Sequence, residues 1–230
     1  MNILALDTTQ EYCSAALSIN GDITYREEHA PRAHTGLVLP QVRSLLDEAG
    51  LALPQLDVLA YGRGPGSFTG LRIAAGIVQG LALGADLPVA PVSSLQAMAQ
   101  GAYRNDNTAT SICAMFDARI HEVYWGCYQL QDSLLQPFSD ESVDAPDDVV
   151  LPSAGQWLAI GSGWHAYPQL QQRLGNDISR YVYDTVPLAR DMIPFAQQMF
   201  AANETVAAEQ AIPVYLRHKV AQTLAERQSR

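Results

Sequence analysis

Ile3-Leu-Ala-Leu-Asp7-Thr8-Thr9 and Ile112-Cys-Ala-Met-Phe-Asp117 are the two stretches that decide the fold. Each is a short apolar run ending in aspartate, the pattern of a buried strand with polar groups at its end. The pattern downstream of the first run recurs downstream of the second. Residues 14–19 and 23–28 flank Asn20-Gly21, the strongest short hairpin signal, because a type I′ turn needs positive φ at both central positions. Residues 122–130 and 134–138 flank Gln131-Asp-Ser133 in the same way. After the first hairpin come a helical pattern over 35–49 that contains Pro40 and stops at Gly50, a strand over 56–61, a helix over 69–84, a strand over 89–92 and a helix over 94–103. After the second come a strand over 157–160, the turn Gly161-Ser-Gly163, and helical patterns over 166–174 and 189–201. Three strands followed by alternating helix and strand, twice, predicts a duplicated α/β architecture. The second copy is abbreviated, and residues 140–154 show little periodicity.

Composition narrows the class. The chain has 230 residues, 48% hydrophobic and 17% charged, with a formal charge of −10. That is one large domain or two small ones, with a core that needs no staples. An acidic balance argues against gripping nucleic acid or an anionic membrane unaided, since phosphate affinity comes from Lys and Arg. The charge is uneven. Arg217, Lys219, Arg227 and Arg230 face only Glu226, so the tail carries +3 and the rest −13. Cys13, Cys113 and Cys127 cannot all pair and include no C-x-x-C, which reads as reduced thiols in a cytoplasmic protein. The start MNILALDTTQ is no signal peptide, and no apolar run reaches the ~18 residues a membrane span needs.

Several segments have the ingredients of a chemical site. Gly62-Arg-Gly-Pro-Gly-Ser-Phe-Thr-Gly70 lies between a strand and a helix, where backbone N–H groups hold an anion or a tight turn packs the helix on the sheet. It lacks the lysine of a Walker A loop and the third glycine of G-x-G-x-x-G. Asp7-Thr8-Thr9 and Asp117-Ala118-Arg119, at two strand ends, fit a phosphotransfer cleft or, more simply, two turns. His29, His34, His121, His165 and His218 form no metal-binding spacing. The acidic residues Asp140, Glu141, Asp144, Asp147 and Asp148 lack EF-hand spacing and read as a solvated loop.

Taken together, Ile3–Thr9 with Cys13-Ser14, Tyr61-Gly-Arg-Gly-Pro-Gly-Ser-Phe-Thr-Gly-Leu-Arg72, Gln79-Gly-Leu-Ala-Leu-Gly84, Asp117-Ala-Arg119, Glu122-Val-Tyr124 and Pro213-Val-Tyr-Leu-Arg217 resemble the bacterial TsaB (YeaZ) family over essentially the whole chain. The resemblance implies an α/β, actin-like ATPase (ribonuclease H-like) fold. Its expected parts are an N-terminal half (1–106), an abbreviated second half (107–211), and a basic segment (212–230) packing back on the first half. It implies a part in forming threonylcarbamoyladenosine at position 37 of tRNAs that read codons beginning with A. The implied role is a non-catalytic scaffold beside a homologous TsaD-like catalytic subunit and a TsaE-like ATPase, with homodimers in the partner's absence and tRNA met only through the complex. ATP, ADP and metal then belong to the partners. The catalytic relative's two histidine ligands fall at Ser94 and Met98 here, a hydroxyl and a thioether that suit divalent ions poorly. Asp7, Thr8, Thr9, Gly64, Gly66, Ser67, Asp117, Arg119, Gly161 and Gly163 are the candidates for a degenerate nucleotide cleft. The helices over 35–49 and 69–84 are the implied partner interface, with Leu37, Gln41, Leu45, Leu71, Gly76 and Gly80 as candidate contacts. A metallopeptidase or glycopeptidase, needing a metal centre, and a small-molecule kinase using Asp7 and Asp117 on Mg-ATP are the alternatives.

Overall fold

The computed structural model describes residues 1–152 and 155–217. Most of the basic tail, including Lys219, Arg227 and Arg230, lies outside the described residues. The first half opens with β1 (Asn2–Asp7), β2 (Tyr12–Ile19) and β3 (Asp22–His29), an antiparallel meander. Asn20 and Gly21 both have positive φ, at 51° and 100°, as the hairpin turn requires. Helix α1 (His34–Ala49) carries Pro40 in its interior and ends at Gly50, whose left-handed φ of 64° lets its N–H cap the last turn. Then β4 (Val58–Gly64), α2 (Phe68–Ala85) and β5 (Val89–Ser93) add two parallel strands, giving the order β3-β2-β1-β4-β5.

The second half repeats this order. After α3 (Ser94–Asn105) come β6 (Ser111–Arg119), β7 (Glu122–Gln131) and β8 (Leu134–Pro137). The short β9 (Ser142–Asp144) pairs with β7. Strand β10 (Trp157–Ile160), helices α4 (Ser162–Ala166) and α5 (Pro168–Leu174) and strand β11 (Ile178–Val182) complete a sheet ordered β8-β7-β6-β10-β11. Helix α6 (Ile193–Ala201) closes the half. The abbreviation is local: no helix corresponding to α1 occurs among the described residues between β8 and β10. Sequence periodicity missed β9 and β11. The first has only three residues, and the second exposes Ser179, Arg180 and Val182.

Both sheets are covered on both faces, and alternate residues divide the core. Leu4, Leu6, Leu17, Leu59 and Tyr61 pack beneath α1 and α2, while Ile3, Ala5, Val58 and Ala60 meet Ile193 and Phe195 of the second half's α6. In the second sheet, Cys113, Met115 and Trp157 share a cluster with Trp164 of α4 and Leu170 of α5. Ile112, Ala114 and Ile160 meet Leu95 and Met98 of the first half's α3. Each half therefore lends a helix to the other's sheet, and the two halves share their core.

Residues 211–217 lie across this junction. Tyr61 Oη donates to the Ile212 carbonyl at 2.9 Å, Gln79 Nε2 to the Ala211 carbonyl at 3.1 Å, and Val214 N to the Arg63 carbonyl at 2.8 Å. Beyond them, Arg217 reaches the second half. Its Nε donates to Glu122 Oε2 at 2.7 Å, and its Nη2 to the Ala118 and Arg119 carbonyls at 2.9 and 3.2 Å. Residues 211–215 thus lie against the first half and Arg217 bridges to the second; most of the segment expected to pack back on the first half, 218–230, lies outside the described residues. Arg217→Ala removes a half-buried charged donor shared by three acceptors. We expect a loss of about 1–2 kcal/mol in urea denaturation. Faster amide exchange at 212–217, with α1 unchanged, is the accompanying signature.

Candidate functional site

The polar end of β1 and the glycine loop interlock. Asp7 Oδ1 accepts from Thr9 N and from Thr9 Oγ1, both at 3.0 Å. Thr8 Oγ1 donates to the Gly70 carbonyl at 2.7 Å, and Ser67 N donates to the Thr9 carbonyl at 2.8 Å. Ser67 also caps α2, accepting from Gly70 N at 3.4 Å. Glycine is required because the contact is so close. A Cβ on Gly62 would sit 1.9 Å from Asp7 Oδ2, one on Gly66 2.5 Å from the Thr9 carbonyl oxygen, and one on Gly70 1.9 Å from the Thr8 carbonyl oxygen. Gly64, at φ 110°, faces the Val214 carbonyl, which adds the 211–217 segment to the seal.

Asp7, Thr8 and Thr9, candidates for a degenerate cleft, are fully buried, and their hydroxyls and carboxylate are satisfied within the chain. Between the two readings of the glycine loop, the tight turn is the one built: its close approaches are made to β1's own end, not left as a cradle. Of the loop, Ser67, Phe68 and Thr69 are exposed.

Burial raises the Asp7 carboxyl to about 7, against the weaker downward pull of its Thr9 hydrogen bonds. The folded chain then holds this proton more tightly than the unfolded chain, whose value is near 3.8. The stability tied to this proton is complete below about pH 4, declines as pH rises through 7, and is constant above. Asp7→Asn should flatten that decline, which amounts to a few kcal/mol at most. Urea midpoints from pH 4 to 8 check it, with the variant gaining on the wild type toward pH 8.

The second half's counterpart is open but differently engaged. Asp117 is half-buried, accepts from Arg119 N at 2.9 Å and from Tyr167 Oη at 3.1 Å, and pairs with the Arg119 guanidinium at 3.3 Å. Gly161 and Gly163 serve packing as well. A Cβ on Gly161, whose φ is 96°, would lie 2.4 Å from the Met115 carbonyl oxygen and 2.8 Å from Met98 Cε; one on Gly163 would lie 2.4 Å from Met115 Cγ. Ser94 and Met98 are fully buried, and the Met98 thioether fills the space beside the Gly161 turn. A buried hydroxyl and a packed thioether do not fit a divalent metal centre. Among the described residues no cluster of three His, Cys, Asp or Glu side chains is placed to hold one.

The open surface lies on the helices. Along α2, Leu71, Ala74, Ala75, Val78 and Ala82 face the sheet, and Arg72, Gly76, Gly80, Leu83 and Gly84 face outward. Among the described residues, nothing comes within 4 Å of a Cβ placed on Gly76, Gly80 or Gly84. Leu83 is 79% exposed, and Leu39 of α1 is 47% exposed. A shallow groove of about 470 Å³ beside α1 is lined by Leu39, Pro40, Arg43, Ser44 and Asp47. Two expected contacts are corrected here: Leu45 and Leu71 are 1% and 2% exposed and belong to the core under the helices. Leu37 and Gln41 are half-buried at its edge, Gln41 accepting from Cys13 Sγ at 3.6 Å. Sequence reasoning missed Leu39 and Leu83; the signal was present in the spacing of Leu83 from Gly76 and Gly80, which puts all three on one face.

Helix α2 also amends the membrane expectation. Its 18 residues have a mean hydropathy of 1.4, so by length and composition it is apolar enough to cross a membrane. Its buried stripe nevertheless covers the first sheet, and Arg72 lies on the outer face.

Comparison with known proteins places the chain among relatives. The family model for TsaD, tRNA N6-adenosine threonylcarbamoyltransferase, matches residues 26–228. The tRNA threonylcarbamoyladenosine biosynthesis protein TsaB of Escherichia coli strain K12 is 47% identical over 225 residues, 96% of each chain. Its namesake in Haemophilus influenzae is 39% identical over 96% of this chain and 95% of its own. Among solved structures, YeaZ from Pseudomonas aeruginosa superposes with a TM-score of 0.85 at 44% identity, covering 94% of this chain and 99% of that one.

Proposed function

This chain belongs to the TsaB family of tRNA threonylcarbamoyladenosine biosynthesis proteins, homologous to TsaD, and we propose that it serves that modification as a non-catalytic, activating subunit. The observation that carries this reading is the contrast between its two surfaces. Where a relative of this fold would bind a nucleotide, the β1 end and the glycine loop are packed against each other. Where a partner would dock, α2 offers a glycine-lined apolar stripe with none of the described residues over it.

The proposed division of labour rests on chemistry. A TsaD-like partner transfers the threonylcarbamoyl group from threonylcarbamoyl-AMP to the adenine amine at position 37 of tRNAs that read codons beginning with A. The partner supplies metal and nucleotide. This chain supplies a rigid surface: α1 and α2 pair with the corresponding helices of the partner, with Leu39, Leu83, Gly76 and Gly80 at the contact and Leu37 and Gln41 at its edge. In the partner's absence the same face pairs with a second copy of this chain. A TsaE-like ATPase joins the assembly. With a net charge of −10, this chain leaves the RNA to its partners. The site of action is the cytoplasm.

The test is reconstitution. The homologous catalytic subunit, tRNA and threonylcarbamoyl-AMP are assayed with and without this chain, and in parallel the two proteins are mixed on a sizing column. A 1:1 complex and a modification rate that depends on this chain are expected. Separate elution with an unchanged rate rejects the proposal. Modification by this chain alone rejects its non-catalytic part.

A further inference from the structure

Cys113 and Cys127 stand directly opposite each other in the antiparallel β6–β7 pair. Their backbone groups show which kind of pair this is. The Cys127 carbonyl accepts from Phe138 N at 2.8 Å, and Cys127 N donates to Ser139 Oγ at 3.4 Å, both away from β6. On the other strand, the Cys113 carbonyl accepts from Trp164 Nε1 at 3.3 Å, and Cys113 is in register with Ala159 of β10. Opposed residues whose backbone groups turn outward form a non-hydrogen-bonded pair. That is the close kind, with Cα atoms about 4.5 Å apart, and a disulfide spans Cα separations of about 4.4–6.8 Å. Both side chains point to one face and are fully buried with Met115, Trp125, Trp157 and Trp164. Both are free thiols. The third cysteine, Cys13, belongs to the other sheet and bonds to Gln41.

The geometry points to Cys113 and Cys127 as a reversible dithiol–disulfide pair in the core of the second half, oxidised by a small-molecule disulfide. Cys127 is the entry point. It lies beside the sheet edge formed by the four-residue β8 and three-residue β9, short edge strands that open locally with little loss of pairing. The Cys127 thiol loses its proton, and its sulfur attacks one sulfur of the oxidant, releasing one thiolate. Cys113, deprotonated in turn, attacks the mixed disulfide at the Cys127 sulfur and releases the second thiolate. Two protein thiols are oxidised and one disulfide is reduced to two thiols. Burial raises the Cys113 thiol well above its ordinary value, so exchange waits on local opening rather than proceeding in the closed core.

Oxidised glutathione is the probe, applied to the full chain with and without sub-denaturing urea, followed by non-reducing trypsin digestion. Cleavage after Arg119 separates the two cysteines. The expected product is a linked pair of the Cys113 and Cys127 peptides, lighter by two hydrogens than their sum and released by dithiothreitol, with Cys13 still open to alkylation. Cys113→Ser, which lacks the resolving sulfur, should instead accumulate glutathione on Cys127. Wild-type chain that ends in urea as three free thiols, as a stable glutathione adduct, or with Cys13 in the bridge overturns the assignment.

Discussion

Gly70→Ala should cost the fold about 4–5 kcal/mol, the exceptional end of single-substitution effects. The added methyl would lie 1.9 Å from the Thr8 carbonyl oxygen, 3.0 Å from the Thr8 carbonyl carbon and 3.4 Å from Thr9 Cα. All three are backbone atoms, so no side chain can swing aside. Relief requires moving α2 off the end of β1, which breaks the Thr8 hydroxyl's bond to the Gly70 carbonyl and the Ser67–Thr9 backbone bond. Helix propensity works the other way by about 1 kcal/mol and is outweighed. Gly76→Ala is the matched control. It lies in the same helix with no atom of the described residues within 4 Å of its added carbon, and should gain about 1 kcal/mol. Urea midpoints for the two variants should move in opposite directions. Equal midpoints would mean that the glycine loop is not packed on β1 as described.

Gly80→Leu should separate folding from assembly. The site is open, so the isolated chain should keep its structure and melt within about 1 kcal/mol of wild type. A leucine there holds a partner helix away from the backbone. Binding to the catalytic subunit should weaken on the order of a hundredfold, close to 3 kcal/mol. Calorimetric titration of the catalytic subunit into each chain measures the difference. Undiminished affinity would move the interface off α2.

The two halves were legible in sequence because their signals are local. Asn20-Gly21 encodes a hairpin turn, Gly50 a helix end, and two apolar runs ending in aspartate mark equivalent strands. Strand β11 was not legible, since an edge strand that exposes three of its five residues, two of them consecutive, carries no alternating apolar pattern. The glycine loop was ambiguous for a physical reason. An anion cradle and a close helix–sheet contact call for the same glycines, and the distance from Gly70 to the Thr8 carbonyl, 62 residues away along the chain, decides between them. Leu45 and Leu71 went to the wrong side because helical periodicity gives the spacing of apolar residues. It does not say which of two apolar faces meets the core. Arg217 was visible as a charge, but its bridge to Glu122 is a long-range contact that no local pattern carries.

The central claim is that this chain works through its helix face while its own cleft is sealed. The most direct test is the tRNA threonylcarbamoylation rate of the homologous catalytic subunit supplied with wild type, Asp7→Asn or Gly80→Leu chain at equal concentration. The expected result is a full rate with Asp7→Asn and a rate near that of the catalytic subunit alone with Gly80→Leu. A full rate with Gly80→Leu, together with loss of activity in a folded Asp7→Asn chain, would contradict the account.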